Sequence, residues 1–235
     1  METKNIDAVY FVRDGENDEL RFSLRSVEKN LPIRKVWIYG GKPEDIQPDE
    51  FVRIPQPKDE DTKWDRVRAN FQRVAENPEI TEDFILMNDD FFINQPTDRI
   101  EPHTAGTLQE HIDRIERNYR NAPTTYTIEL RRAHRVLEEA GLTTNSYELH
   151  IPMIINRKKL AETLAAFPPR HATRSLYGNL HQIGGTRAKD CKIIRPEQPF
   201  NRDAQFLSSD DSTWGDTELA NFIRERFPDK SRWEI

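Results

Sequence analysis

Cysteine is nearly missing from this chain. Cys191 is the only one in 235 residues, which excludes an internal disulfide and any zinc centre built on cysteines. No apolar run is long enough to span a bilayer. The opening stretch, METKNIDAVYFV, carries neither the basic segment nor the small-residue cleavage site of a secretory leader. These absences lead to the expectation of a cytoplasmic protein with no membrane partner. Positive charge is also in deficit: 35 Lys and Arg face 41 Asp and Glu, for a formal net charge of −6. That argues against a surface that binds nucleic acid indiscriminately. The basic residues are nonetheless clustered, in Arg131-Arg132-Ala133-His134-Arg135, Arg157-Lys158-Lys159 and Arg170-His171-Ala172-Thr173-Arg174. Each cluster reads either as a basic face or as a solvated helix face.

The length suits one α/β domain with room for an insertion. No repeat, low-complexity segment or flexible linker divides the chain, so residues 1–235 read as a single domain. Residues 6–12 are a continuous β-branched and aromatic run and predict a strand. A polar turn at residues 13–18 follows, with Asp18 placed to cap a helix carrying Leu20, Leu24 and Val27. Pro32 ends that helix. Residues 35–39 and 51–55 predict further strands, a charged loop falls at 58–61, and residues 64–75 predict a helix with Val67, Phe71 and Val74 facing inward. Strand, helix, strand at this spacing means a mostly parallel sheet flanked by helices.

After Pro96 the pattern changes. Residues 107–120 and 126–140 predict two helices, the second packing through Ile128, Leu130, Val136 and Leu137 and stopped by Gly141. Residues 107–141 read as a helical insert. Residues 147–155 return to strand character, and 157–166, 173–179 and 217–227 predict helices around a late strand at 192–194.

The chain's densest chemistry lies at residues 84–93. Phe84-Ile85-Leu86-Met87 reads as a buried central strand, and it runs straight into Asn88-Asp89-Asp90. Adjacent carboxylates at the end of a buried strand repel each other unless a cation or strong hydrogen bonding compensates. One reading is a strand-end turn. The other is a site for Mg or Mn, which take oxygen ligands. The preceding β–α alternation places the pair at the carboxyl ends of parallel strands, where open sheets bind ligands, and favours the cation.

Several blocks resemble known sugar transferases. Residues 19–30, from Glu19-Leu20-Arg21-Phe22-Ser23-Leu24-Arg25-Ser26, resemble the opening block of the Stealth family of sugar-1-phosphate transferases. Residues 84–92 resemble its second block, an apolar run ending in Asn-Asp-Asp. His150-Ile151-Pro152-Met153 with Arg174 resembles the third, and residues 206–211 with 227–234 resemble the last. The segment that usually follows the family's first strand is compressed here to Phe11-Val12-Arg13-Asp14-Gly15. In that compactness the chain is closer to small phage-encoded sugar transferases with a GT-A-like fold. Some of these glycosylate hydroxymethylated cytosine in phage DNA. The His150–Met153 stretch and Arg174-Ser175-Leu176-Tyr177-Gly178-Asn179 resemble stretches of those enzymes.

The resemblance implies a GT-A-like α/β fold and a nucleotide-sugar donor as co-substrate. It implies a divalent cation, Mn or Mg, at Asp89 and Asp90 and a hydroxyl acceptor, with DNA the expected acceptor partner and the host cytoplasm the expected location. Such a cation neutralises a diphosphate leaving group. Asn88 orients the pair or meets a sugar hydroxyl. His150 is a third metal ligand, a general base or a packed imidazole. Arg13 and Asp14 face the nucleotide. Arg21 and Arg25 bind the diphosphate as bidentate donors, or else make ion pairs with Glu16 or Glu28. Arg174 completes the donor pocket, with Tyr177 and Asn179 beside it on the acceptor side together with Arg131 and Arg132. Trp64 stacks on a sugar or base, or belongs to the core. Asp90 and Asp211 are the candidate catalytic carboxylates, Asp211 as the base, with capping of the last helix as the alternative for Asp210 and Asp211. A sugar-1-phosphate transfer to a glycan and a non-catalytic nucleotide- or carbohydrate-binding module are the competing functions. Nothing in the sequence specifies an oligomeric state.

Overall fold

The structure is a computed structural model that describes residues 2–54, 63–118, 120, 122–169 and 171–235. The expected loop at 58–61 and the side chain of Trp64 lie outside the described residues. Its centre is a five-stranded sheet. β1 (Asp7–Val12) lies in the middle, flanked by β2 (Val36–Gly40) and β4 (Asp83–Asn88). β3 (Glu50–Arg53) is the outer neighbour of β2, and β7 (Met153–Asn156) is the outer neighbour of β4. The first four strands are parallel and β7 is antiparallel. This is the α/β class expected, a mostly parallel sheet flanked by helices.

Alternation along β1 divides the core. Ala8, Tyr10 and Val12 face α1 (Asp18–Asn30), packing with Leu20, Leu24 and Val27. Val9 on the other face joins Phe71 and Val74 of α2 (Lys63–Glu76) and Leu160 of α5 (Arg157–Ala166). Each of these buried aliphatic side chains contributes about 1.5–3 kcal/mol. Val67 is only partly buried against that core.

α1 also carries a polar stripe at helical spacing: Glu19, Ser23, Ser26 and Asn30. Ser23, Ser26 and Asn30 bind β5 (Phe91–Ile93), the short run after the Asp pair. Ser23 Oγ donates to Phe91 O at 2.5 Å, Ile93 N donates to Ser26 Oγ at 2.9 Å, and Asn30 Nδ2 donates to Ile93 O at 2.7 Å. β5 pairs antiparallel with β9 (Phe206–Ser208), which brings the chain's last quarter to the Asp pair.

α3 (Leu108–Asn118) and α4 (Thr125–Glu139) pack with α6 (Thr173–Leu180) around Leu108, Ile112, Leu130, Leu137 and Leu176. Ile128, expected inside, is 42% exposed. β6 (His103–Thr104) pairs with β8 (Thr186–Arg187) beside them. α7 (Glu218–Arg226) is capped by Thr217, whose side chain accepts from Ala220 N. No helix of the described residues is long and apolar enough to cross a membrane.

Two expected strands differ from the prediction, one shortened and one reduced to a bridge. Of the 147–155 run only residues 153–155 join the sheet, within β7, which extends one residue further to Asn156. Pro152 has no N–H for a ladder, and the preceding backbone is satisfied by side chains instead. Arg174 donates to the carbonyls of Leu149 at 2.6 Å and Ile151 at 2.8 Å, and Tyr147 N donates to Ser175 Oγ at 3.0 Å. His150 therefore sits in an irregular segment, not on a strand. Residues 192–194 make one isolated bridge, Lys192 to Ser208, in place of a strand.

Candidate active site

The carboxyl ends of the parallel strands gather Arg13 and Asp14 after β1, Gly41 after β2, Arg53 at the end of β3, and Asp89 and Asp90 after β4. The loops are close-packed: a Cβ on Gly41 would come within 2.8 Å of the Arg13 carbonyl. Asp14 is ion-paired with Arg53. Arg13 lies 3.8 Å from Asp211, both exposed.

Asp89 is partly buried, and its carboxyl is pushed above the usual range by burial and then by the charge of Asp90. Asn17 Nδ2 donates to Asp89 Oδ2 at 2.6 Å, while Asn17 Oδ1 accepts from Leu20 N at 2.9 Å. One amide thus caps α1 and holds the carboxylate, so the cap is Asn17 and not Asp18. Asn88, the last residue of β4, pairs in register with Phe11.

Asp90 meets a cation supplied by the chain. Lys192 Nζ lies 3.1 Å from Asp90 Oδ2 and 3.6 Å from Asp210 Oδ2. Burial would push that ammonium down, but Asp90 and then Asp210 and Glu19 outweigh it and hold it above the ordinary value. Asp90 Oδ1 is buried with no hydrogen-bond partner among the described residues. Glu19 stands nearby and accepts from Ser209 Oγ. Burial pushes its carboxyl up to about 7, and Asp89, Asp90 and Asp211 add to the rise.

Two hard oxygen donors, one with an unpartnered buried atom, suit Mg or Mn. These ions are commonly held by one or two carboxylates together with substrate phosphates. Among the described residues, no three His, Cys, Asp or Glu side chains gather to hold a metal. His150 is accordingly not joined to Asp89 and Asp90 in one ligand set. Its Nδ1 faces Asp190 Oδ2 at 2.7 Å, and its backbone N donates to Asp190 Oδ1 at 3.0 Å. Burial alone would push Asp190 up, but the hydrogen bonds and charge of His150 bring it down to about 2. The segment 190–192 thus ties His150 with one residue and Asp90 with another.

The remaining expected residues have other partners. Arg21 pairs with Asp18 at 2.8 Å and with Asp45. Arg25 makes a bidentate pair with Glu234, at 2.7 and 2.6 Å. Neither pairs with Glu16 or Glu28. Arg174 holds the backbone carbonyls described above, and burial lowers its pKa. Tyr177 Oη accepts from Asn156 N, and buried Asn179 binds Asn145 and Thr143. Arg131 pairs with Glu116 and Arg132 with Glu129. Asp210 caps the single 3₁₀ turn at Asp211–Thr213, not the last helix. A cavity of about 400 Å³ lies along β7, lined by Tyr147, Met153, Arg174 and Tyr177 and reaching Asp83 at the start of β4. Neither Asp89 nor Asp90 lines it.

Sequence reasoning passed over Asn17, Glu19, Asp190, Lys192 and Ser209. A signal existed for Glu19, which continues the Ser23, Ser26 and Asn30 stripe by one turn. Lys192 and Asp190 reach their partners from about 100 and 40 residues away, and no local pattern marks them.

No protein-family model matches the chain, and no curated protein sequence matches it. Solved structures similar to it include the glycosyltransferase GlyE of Streptococcus pneumoniae TIGR4. The TM-score is 0.46 at 11% identity, over 94% of this chain and 60% of that one. Another is a 4-diphosphocytidyl-2C-methyl-D-erythritol synthase, with a TM-score of 0.37 at 12% identity, over 97% of this chain and 100% of that one. The chain spans about 60% of the length of GlyE.

Proposed function

We propose that the chain is a metal-dependent glycosyltransferase with a GT-A-like site. It moves a sugar from a nucleotide-sugar donor to a hydroxyl acceptor. The observation that carries this is the Asp89–Asp90 pair at the carboxyl ends of the parallel strands, with the buried Oδ1 of Asp90 unpartnered among the described residues. Asp89 and Asp90 would hold Mn or Mg, which when bound neutralises the diphosphate of the leaving group. Arg13 supplies positive charge at the same edge, and the close approach of Gly41 to the Arg13–Asp14 backbone shapes the nucleotide's seat.

On the acceptor side, the Asp190 carboxylate facing Nδ1 of His150 keeps the proton of the neutral ring on that nitrogen. Nε2 is left to accept the proton of the acceptor hydroxyl. Asp211, exposed beside Arg13, is the alternative base. Hydroxymethylcytosine in DNA is the acceptor that the block resemblance supports. Arg131 and Arg132 add nothing to it, since acidic neighbours neutralise both.

Incubation with Mn²⁺, a panel of nucleotide sugars and hydroxymethylcytosine DNA, followed by nucleoside mass spectrometry, tests the reading. The expected result is a mass gain of one sugar on the modified nucleoside, abolished in Asp89→Ala and Asp90→Ala. A sugar-phosphate gain on a glycan would instead identify a sugar-1-phosphate transferase. Activity unchanged in both variants would remove the Asp pair from the chemistry.

A further inference from the structure

The sequence poses a question at Asp89-Asp90: what compensates two adjacent carboxylates at the end of a buried strand? The structure's answer for Asp90 is a lysine. Lys192 Nζ lies 3.1 Å from Asp90 Oδ2 and 3.6 Å from Asp210 Oδ2, and only 19% of the Lys192 side chain is exposed. Asp90 uses one oxygen for this contact, which Ser208 Oγ also approaches at 3.4 Å, and leaves Oδ1 unpartnered among the described residues. Carboxyl groups outnumber cationic ones here: Asp89, Asp90, Glu19, Asp210 and Asp211 stand beside Lys192 and Arg13.

A divalent cation bound through Asp90 and the Lys192 ammonium would be like charges on one carboxylate, at contact distance in a half-buried setting. That repulsion is strong where water screens poorly. The two are therefore competitors. Lysine suits an exchange of this kind, because its compact charge sits on a flexible four-carbon stem and can swing without the backbone moving. The backbone of Lys192 is separately fixed by its bridge to Ser208 and by Asp190, whose carboxylate anchors His150.

We propose that the Lys192 ammonium is the displaceable counter-ion of Asp90, which a divalent cation replaces and which then faces the incoming diphosphate. Lys192 on this account sets the metal affinity of the pair and makes metal binding depend on the phosphate ligand. The inference rests on reading the pair as a metal–diphosphate site.

Mn²⁺ binding, followed by electron paramagnetic resonance of the free ion, tests it on the purified full chain, with and without inorganic pyrophosphate. Without pyrophosphate, Lys192→Met binds Mn²⁺ about tenfold tighter than wild type, a change worth about 1.4 kcal/mol. Lys192→Arg, which keeps the charge, shows no such gain, and adding Asp90→Asn to Lys192→Met abolishes it. Pyrophosphate tightens Mn²⁺ binding more in wild type than in Lys192→Met. Should Lys192→Met not fold, Lys192→Gln serves as the uncharged variant. Equal Mn²⁺ affinity in wild type and the uncharged variant overturns the counter-ion role, even if pyrophosphate promotes Mn²⁺ binding in both, which leaves the metal reading standing. Absence of Mn²⁺ binding in every protein, with or without pyrophosphate, overturns the metal reading and this inference together.

Discussion

Asn17 and Asp89, 72 residues apart, are joined by a 2.6 Å hydrogen bond from the amide that also caps α1. The start of the first helix and the metal-site candidate are thereby one structural unit. Asn17→Ala removes both contacts. The lost cap alone costs about 1 kcal/mol. Asn17→Ser keeps a capping oxygen but cannot reproduce the amide donor. In urea unfolding, Asn17→Ala is expected to be the less stable of the two, while both lower Mn²⁺ affinity or transferase activity.

Glu19 makes stability depend on pH with a definite sign. Its carboxyl is held up to about 7 in the folded chain, against an ordinary value of 4.5. Below 4.5 both folded and unfolded chains are protonated there, so the group costs nothing. Between 4.5 and about 7 only the unfolded chain ionises, and the fold loses stability as pH rises. The full cost above that window is at most about 3 kcal/mol. Glu19→Gln should therefore be more stable than wild type at pH 8 in EDTA, and equal to it near pH 4, by denaturant titration.

Asp190 works in the opposite direction. Its pKa falls from 3.8 to about 2 on folding. It contributes stability above the unfolded value, lost as pH falls through the folded one, worth about 2 kcal/mol. Asp190→Asn removes that acid-side loss. It also frees the His150 ring from its orienting carboxylate, so the expected kinetic signature is a lower kcat with a shifted pH profile at nearly unchanged KM for the donor.

Arg174 replaces a strand's ladder partners. Removing its guanidinium leaves the Leu149 and Ile151 carbonyls without those donors. Each lost partner of this kind costs about 1–3 kcal/mol. Arg174→Met is expected to lower the midpoint of thermal unfolding markedly, and Arg174→Lys, with one point charge for two carbonyls, to recover only part of it. A variant with wild-type stability and weakened donor binding would return Arg174 to the nucleotide site.

The alternation of strands and helices was legible because burial imposes it on local sequence. β1, β2 and β4 are buried runs, and α1 and α2 repeat apolar residues at helical spacing. The place of the Asp pair followed from that order. Residues 147–152 misled because their apolar character reflects burial among side chains, with Pro152 blocking the ladder. The arginines misled for another reason. A phosphate and a carboxylate attract a guanidinium in the same way, so sequence cannot show that Arg25 is taken by Glu234. The partners that complete the site, Asp190 and Lys192, are long-range charges with no periodicity to reveal them.

The Arg25–Glu234 pair spans 209 residues, and it is reinforced by the Trp233 indole donating to Asp49 at 3.0 Å. α1 is therefore clasped by the last residues of this sequence. During synthesis, the sheet's first three strands and α1 leave the ribosome long before their clasp exists. Contacts of such separation form late. The nascent chain carries its Asp pair beside a helix whose outer face is not yet locked by Glu234. A chain stopped short of that residue would keep most of its core and lack the clasp on α1.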